Sequence, residues 1–266
     1  MSALGNWSFT PLVSAFQPTI LPNVQFWNVS NNVGLEYQVE VSWPFEWASQ
    51  DVDAAALAMY VLDGNALGMT ATEAWKRRGP SPARHRLPAA PARGKHAEPH
   101  RPPSGADDFI AFLDKVLRPF IRSTVFPNVN FTRDALYGHS FGGLFVIYAL
   151  LNQPELFDTF LTASPAIFWN NGSILNDHPK KPAFRISYGS LEQFPIRRRT
   201  ETKEDFQFRK GIIETFRMTD NCQELYRRIR NNPRLRDVIL KEYQGQDHAS
   251  VGATSITDGI DYFADW

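Results

Sequence analysis

Short apolar runs, rich in β-branched and aromatic residues and each stopped by turn residues, alternate along this chain with stretches of helical period. The runs are VQFWNVS from Val24, LEYQVEVSW from Leu35, ALAMYVLDG from Ala56, RDALYGHS from Arg133, TFLTASPAIFW from Thr159, AFRISYGS from Ala183 and DVILKEYQG from Asp237. Between several of them lie helical patterns. ADDFIAFLDKVLRPFI from Ala106 sets Phe109, Phe112, Leu113, Val116, Leu117 and Phe120 on one face, and QELYRRIRN from Gln223 is a shorter case. Parallel strands need long crossovers, and helices in those crossovers cover the sheet, so the alternation predicts an α/β fold with a mostly parallel central sheet and helices on both faces. With 266 residues the chain can bury such a core as a single domain over 1–266.

Bulk charge adds little. Lys plus Arg (28) balance Asp plus Glu (28), so no global field argues for nucleic acid or a membrane surface as partner. The ligand has to be inferred from a site. Cys222 is the single cysteine, which rules out an intramolecular disulfide, argues against a cysteine-based zinc site and fits a reducing compartment. No metal or cofactor is expected. The opening MSALGNWSFTPLVSAFQPTILP has neither the basic start nor the apolar segment of a secretory signal, so a cytoplasmic location is expected. Asn6, Asn28, Asn130 and Asn171 begin Asn-x-Ser/Thr triplets, which read as turn asparagines in that setting.

Arg78 to Gly105, RGPSPARHRLPAAPARGKHAEPHRPPSG, departs from the alternation. It is dense in proline, arginine and alanine, and Leu87 is its one large apolar side chain. Such a run buries too little surface to offset its ordering entropy, and its prolines oppose both helix and central strand. It reads as a disordered insert, a flexible segment rather than a polyanion-binding arm.

Chemistry is concentrated at Gly138-His139-Ser140-Phe141-Gly142. This matches G-x-S-x-G, in which a serine sits on a strained turn between strand and helix with its hydroxyl held up at the carboxyl end of the sheet. RDALY before it and LFVIYALLN after it supply that strand and helix. The helix N-terminus is then directed at the site, and the Phe141 amide can help bind an oxyanion. A second donor belongs in the loop after the third strand, within YVLDGNALGM. Gly64 and Asn65 are the candidates, and Asp63 is either part of that loop or a turn residue.

A serine hydroxyl needs a base, normally a histidine oriented by an acid. His85, His96 and His100 fall in the insert, His139 occupies the variable position of the turn, and His178 precedes a strand, which leaves His248 in YQGQDHASV after the last predicted strand. In this arrangement the acid falls between serine and histidine in the chain, at the end of a late strand. Glu192, just beyond RISYGS, fits that place. Asp177 and Asp247 are its rivals: Asp177 lies before its strand, and Asp247 adjoins His248, from where turning back onto the ring is difficult. Arg197, Arg198 and Arg199 either border the cleft or form a solvated loop, and Phe168 and Trp169 either wall the pocket mouth or pack in the core.

Taken together, YVLDGNAL, GADDFIAFLDKVLRPFI, ALYGHSFGGLFVIYALL, ASPAIFWNNG, YGSLEQ and GQDHASV resemble the alpha/beta-hydrolases of the siderophore esterase group, which includes the enterobactin esterases and the fungal triacetylfusarinine C esterases. The resemblance covers most of the chain outside the insert. It implies Ser140 as nucleophile, His248 as base and Glu192 as acid, and hydrolysis of the ester-linked backbone of a ferric hydroxamate siderophore inside a fungal cell. Members of the group carry a β-rich run of the VVVGIGYP kind between Arg77 and Gly105, so the resemblance also implies that this chain lacks one strand. Two other functions compete. One is an esterase, thioesterase or acyltransferase acting on another secondary metabolite, which acyl-group competition would reveal. The other is an inactive, degenerate hydrolase, against which labelling of Ser140 by a fluorophosphonate would argue.

Overall fold

The computed structural model describes residues 5–11, 21–47, 52–78, 85–89, 104–167 and 181–265. They form two compact units, 1–134 and 135–266, and the chain passes from one to the other within a strand.

The first unit contains β1 (Trp7–Pro11), β2 (Val24–Asn31), β3 (Glu36–Ser42), β4 (Ala54–Val61) and β5 (His85–Ala89), in the order β1-β2-β3-β5-β4. β1, β2 and β3 are antiparallel neighbours, while β5 runs parallel to β4 with Leu57 opposite Arg86. α1 (Gly64–Arg78) follows β4, and α2 (Ser104–Phe112) continues through wide turns at Leu113–Leu117 and Ile121–Val125 with α3 (Arg118–Phe120) between them. The apolar face expected on this helical stretch is buried at Phe112, Leu113 and Leu117. Phe109 and Phe112 pack on Tyr37 of β3, and Phe112 also on Trp7 of β1. Further along the same stretch, Arg118 at 2.7 Å and Arg122 at 2.6 Å donate to the buried Asp134 carboxylate.

β5 corrects the expectation of a missing strand. Arg78 closes α1, Ser104 and Gly105 open α2, and His85–Ala89 fills the place beside β4 that the proline content seemed to forbid. The backbone of β4 offers a complete ladder edge there, and satisfying it outweighs the weak strand preference of HRLPA. The rest of the insert, 79–84 and 90–103, lies outside the described residues.

The second unit is the one that carries the glycine-flanked serine. β6 (Val129–His139), β7 (Thr159–Ala163), β8 (Ala183–Gly189) and β9 (Asp237–Tyr243) are neighbours in that order, and every pair is parallel. α4 (Phe141–Asn152) follows β6, α5 (Lys203–Phe216) and α6 (Met218–Ile229) follow β8, and α7 (His248–Ala264) follows β9. Alternation along the strands shows which face each helix covers. On β8, Arg185 reaches Asp258 of α7 at 2.9 Å, whereas Tyr188, three residues on and so on the other face, accepts from Gln223 of α6 at 3.1 Å. On β7 a Cβ at Gly143 of α4 would meet Thr162 Oγ1 at 2.5 Å, while Leu161 faces Gly259 of α7. Helices therefore lie on both faces, with α4 and α6 on one and α7 on the other. β7 and β8 are buried along their whole length, as strands sandwiched between helices must be.

Candidate active site

Every parallel strand of the second unit ends at the same edge of its sheet, so the segments that follow β6, β7, β8 and β9 gather there. Ser140 follows β6 at φ 56 and ψ −116, a conformation rarely occupied by a side-chain-bearing residue. The chain turns sharply enough that a Cβ at Gly138 would lie 2.3 Å from Gly142 carbonyl atoms. Gly143, just outside the pentapeptide, is required as strictly, because α4 lies directly on Thr162 of β7. The turn is secured through the backbone: Ser140 N–H donates to Ala163 O, and Ser140 O accepts from Ala166 N–H, both at 3.0 Å.

Ser140 is the N-cap of α4 but makes no side-chain cap bond to the first-turn amides. Its hydroxyl instead lies 3.0 Å from His248 Nε2. The other ring nitrogen, Nδ1, is 2.6 Å from Glu192 Oε2. A carboxylate only accepts, so Nδ1 carries the hydrogen and Nε2 turns its lone pair to the Ser140 hydroxyl. The three expected residues are thus joined in one chain of hydrogen bonds, although 56 residues separate Glu192 from His248 and 108 separate His248 from Ser140.

Register explains the meeting of acid and histidine. Gly189 at the end of β8 lies opposite Tyr243 at the end of β9. The two following turns are then laced together: Ser190 N–H donates to Tyr243 O at 3.0 Å, Leu191 N–H to Gln246 O at 3.0 Å, and Gly245 N–H to Ser190 Oγ at 2.9 Å. Glu192, 6% exposed, points inward from this turn, and its Oε1 accepts from Gly189 N–H at 2.6 Å and from the Ser164 hydroxyl. His248 is the first residue of α7 rather than part of a loop. The rival Asp247 is committed elsewhere: as N-cap it accepts from Ser250 N–H at 3.0 Å, a bond that holds its carboxyl below the usual aspartate range, and Arg198 lies 4.0 Å away. Asp177 lies outside the described residues.

The other expected site residues fall as follows. Phe141 opens α4, 68% exposed, with its amide in the first turn. Gly64 and Asn65 open α1 in the first unit, after Asp63, whose φ is 57. Arg197 is exposed and reaches Glu201 O at 3.5 Å, so Arg198 is the arginine that approaches the segment bearing His248. Phe168 and Trp169 lie outside the described residues. Cys222 is buried in α6, where burial and the Glu192 charge push its thiol well up.

His139 has more to do than occupy a variable motif position. Its ring packs against that of His248 at a tilt, with centroids 4.6 Å apart and planes at 38°. Its Nε2 is buried and has no partner among the described residues. Burial, and then the neighbouring His248, lower its pKa from 6.5 to about 4, against the opposing influence of Glu192 and a bond to the His248 backbone. The folded chain therefore keeps this ring uncharged down to about pH 4, while the unfolded chain protonates it near 6.5. The stability it contributes is present above pH 6.5 and is lost as pH falls, by about 3 kcal/mol at the lower end. Urea unfolding of wild type and His139→Gln between pH 7 and 4 should show the wild type losing stability the more steeply. Parallel curves would contradict the assignment.

A serine on a strained strand-to-helix turn, at the carboxyl edge of a parallel sheet covered on both faces, defines the alpha/beta-hydrolase type of fold. Comparison with known proteins agrees. The Esterase family matches residues 30–236. The chain is 37% identical over 301 residues to the siderophore enterobactin esterase of Emericella nidulans, covering 96% of this chain and 97% of that protein. It is 35% identical over 281 residues to the siderophore triacetylfusarinine C esterase of Aspergillus fumigatus, covering 94% and 96%. Among solved structures, the siderophore hydrolase EstA from Aspergillus nidulans superposes with a TM-score of 0.82 at 36% identity, covering 96% of this chain and 98% of that one. The chain belongs to the Esterase family, and its activity is hydrolysis of ester bonds.

Proposed function

We propose that this esterase hydrolyses the ester bonds of a ferric hydroxamate siderophore of the triacetylfusarinine C type, in the cytoplasm of a fungal cell, with Ser140 as nucleophile, His248 as base and Glu192 as acid. The observation that carries the catalytic reading is the continuous relay from Ser140 Oγ through the His248 ring to Glu192. The names of the similar fungal proteins support the substrate. A single cysteine suits a reducing compartment, and among the described residues no helix is long and apolar enough to cross a membrane.

In this reading Ser140 Oγ attacks the ester carbonyl as its proton passes to His248 Nε2. Glu192 holds Nδ1–H throughout and stabilises the imidazolium that forms. Negative charge developing on the carbonyl oxygen is met by the Phe141 amide at the N-terminus of α4. The second donor is assigned to Gly64 or Asn65 from the sequence pattern. His248 then protonates the departing alcohol, and water, deprotonated by the same ring, releases the acyl group from Ser140. His139, uncharged beside His248, adds no second positive charge against the imidazolium. The reading treats residues 1–266 as one catalytic domain, with Arg197 and Trp169 contacting substrate.

A preformed iron complex is rigid and presents its esters in fixed geometry, so it loses less conformational entropy on binding than a flexible linear ester. Its advantage should appear in kcat/KM, because contacts remote from the ester position the carbonyl against Ser140. Steady-state rates on ferric triacetylfusarinine C and on p-nitrophenyl acetate test this, with the siderophore expected to be preferred. Efficient turnover of the simple ester with none of the siderophore would remove the substrate assignment and leave the esterase standing.

A further inference from the structure

The turn that follows β7 ties the nucleophile to the acid. Ala163 O and Ala166 N–H hold the Ser140 backbone from two sides, and between them in the chain stands Ser164. Ser164 is completely buried and sits at φ 44, a backbone conformation that favours glycine. Its N–H is bonded to Ser187 O at 2.7 Å, and its hydroxyl donates to Glu192 Oε1. With Gly189 N–H also on Oε1, that oxygen is engaged on two sides, and rotating the carboxylate about its own axis would break both bonds. The unengaged oxygen, Oε2, is thereby left facing His248 Nδ1 at 2.6 Å. A serine retained where backbone geometry prefers glycine is accounted for by what its hydroxyl does.

We infer that Ser164 is a positioning residue of the catalytic relay: its hydroxyl fixes the rotation of the Glu192 carboxylate so that Oε2 meets His248, and the turn from Ala163 to Ala166 sets that acid in register with Ser140. The inference rests on the reading of Ser140, His248 and Glu192 given above. Ser164 touches no reacting atom and acts only through Glu192, so its effect vanishes once Glu192 no longer serves as the acid.

The test is kcat and KM for Ser164→Ala and Ser164→Gly, each alone and combined with Glu192→Gln. Both single variants should lose roughly 10- to 100-fold in kcat with KM within about twofold of wild type. In the Glu192→Gln background the same substitutions should cost less than about twofold more. Ser164→Gly also separates the hydroxyl from the backbone, because glycine accepts φ 44 without strain. It should therefore fold, with its loss of stability limited to that of one buried hydrogen bond, yet remain as slow as Ser164→Ala. The inference is overturned if either variant keeps kcat within about threefold of wild type, if the losses multiply in the double variants, or if Ser164→Gly fails to fold. Should Glu192→Gln itself keep wild-type kcat, the acid assignment falls and the inference with it. An impaired Glu192→Gln beside unimpaired Ser164 variants removes the inference alone.

Discussion

Ser140→Ala is expected to abolish ester hydrolysis in a chain that still folds, with turnover falling by roughly 10⁶. The hydroxyl makes one described contact, to His248 Nε2 at 3.0 Å, whereas the bonds that hold the turn come from the Ser140 backbone and survive the substitution. Alanine is smaller than serine and meets the same φ of 56, so the strain of the turn is unchanged. Rates on a p-nitrophenyl ester, measured beside a thermal melt, check both halves of the expectation. A folded variant within about tenfold of wild type would reject Ser140 as nucleophile.

Glu192→Gln is expected to lower kcat by roughly 10⁴ with little change in KM. Glutamine has nearly the shape of glutamate but offers one acceptor and one donor group. If its oxygen stays on His248 Nδ1–H, its amide nitrogen faces the Ser164 hydroxyl and Gly189 N–H, which both donate to Oε1 in the native chain. If the amide flips to satisfy those donors, its NH₂ meets Nδ1, and the imidazole hydrogen moves to Nε2, where it blocks proton transfer from Ser140. Either arrangement disables the relay. A loss near 10⁴ would place Glu192 within a full triad, while a loss under about tenfold would mean that serine and histidine suffice as a pair.

Where local pattern and burial agree, the sequence reads directly into structure. β7 and β8 are short runs of bulky and β-branched residues, buried along their whole length because helices cover both their faces, and β6 announces itself by leading into glycine-flanked Ser140. β5 could not be read that way. HRLPA pairs because a neighbouring strand offers an edge, a fact of tertiary context rather than of local preference. α7 was hidden for a related reason: HASVGATSITDGIDYFA is poor in strong helix formers, and it is held by the Asp247 capping box and the burial of Val251, Ile256, Ile260 and Phe263. α5 buries no side chain, so it has no apolar core face to read.

The same distinction runs through the site. Ser140 has a local motif, and elimination among the histidines leads to His248. Glu192 follows from its place after a late strand. Ser164 carries no such mark, because TASPA reads as an ordinary strand end and only the parallel register of β7 with β8 brings its hydroxyl to Glu192. His139 stands inside the motif, yet its packing against His248 depends on α7 beginning at that residue.

The most direct test of the central claim, that Ser140 is a nucleophile activated by His248, is labelling with a fluorophosphonate followed by peptide mapping, on wild type and on His248→Ala. The phosphorus is attacked far faster by an activated serine than by an ordinary hydroxyl, and fluoride leaves as the adduct forms. The account predicts a single adduct on Ser140 in the wild type and almost none in His248→Ala. An adduct on another residue such as Ser164, or labelling of Ser140 at the same rate without His248, would contradict it.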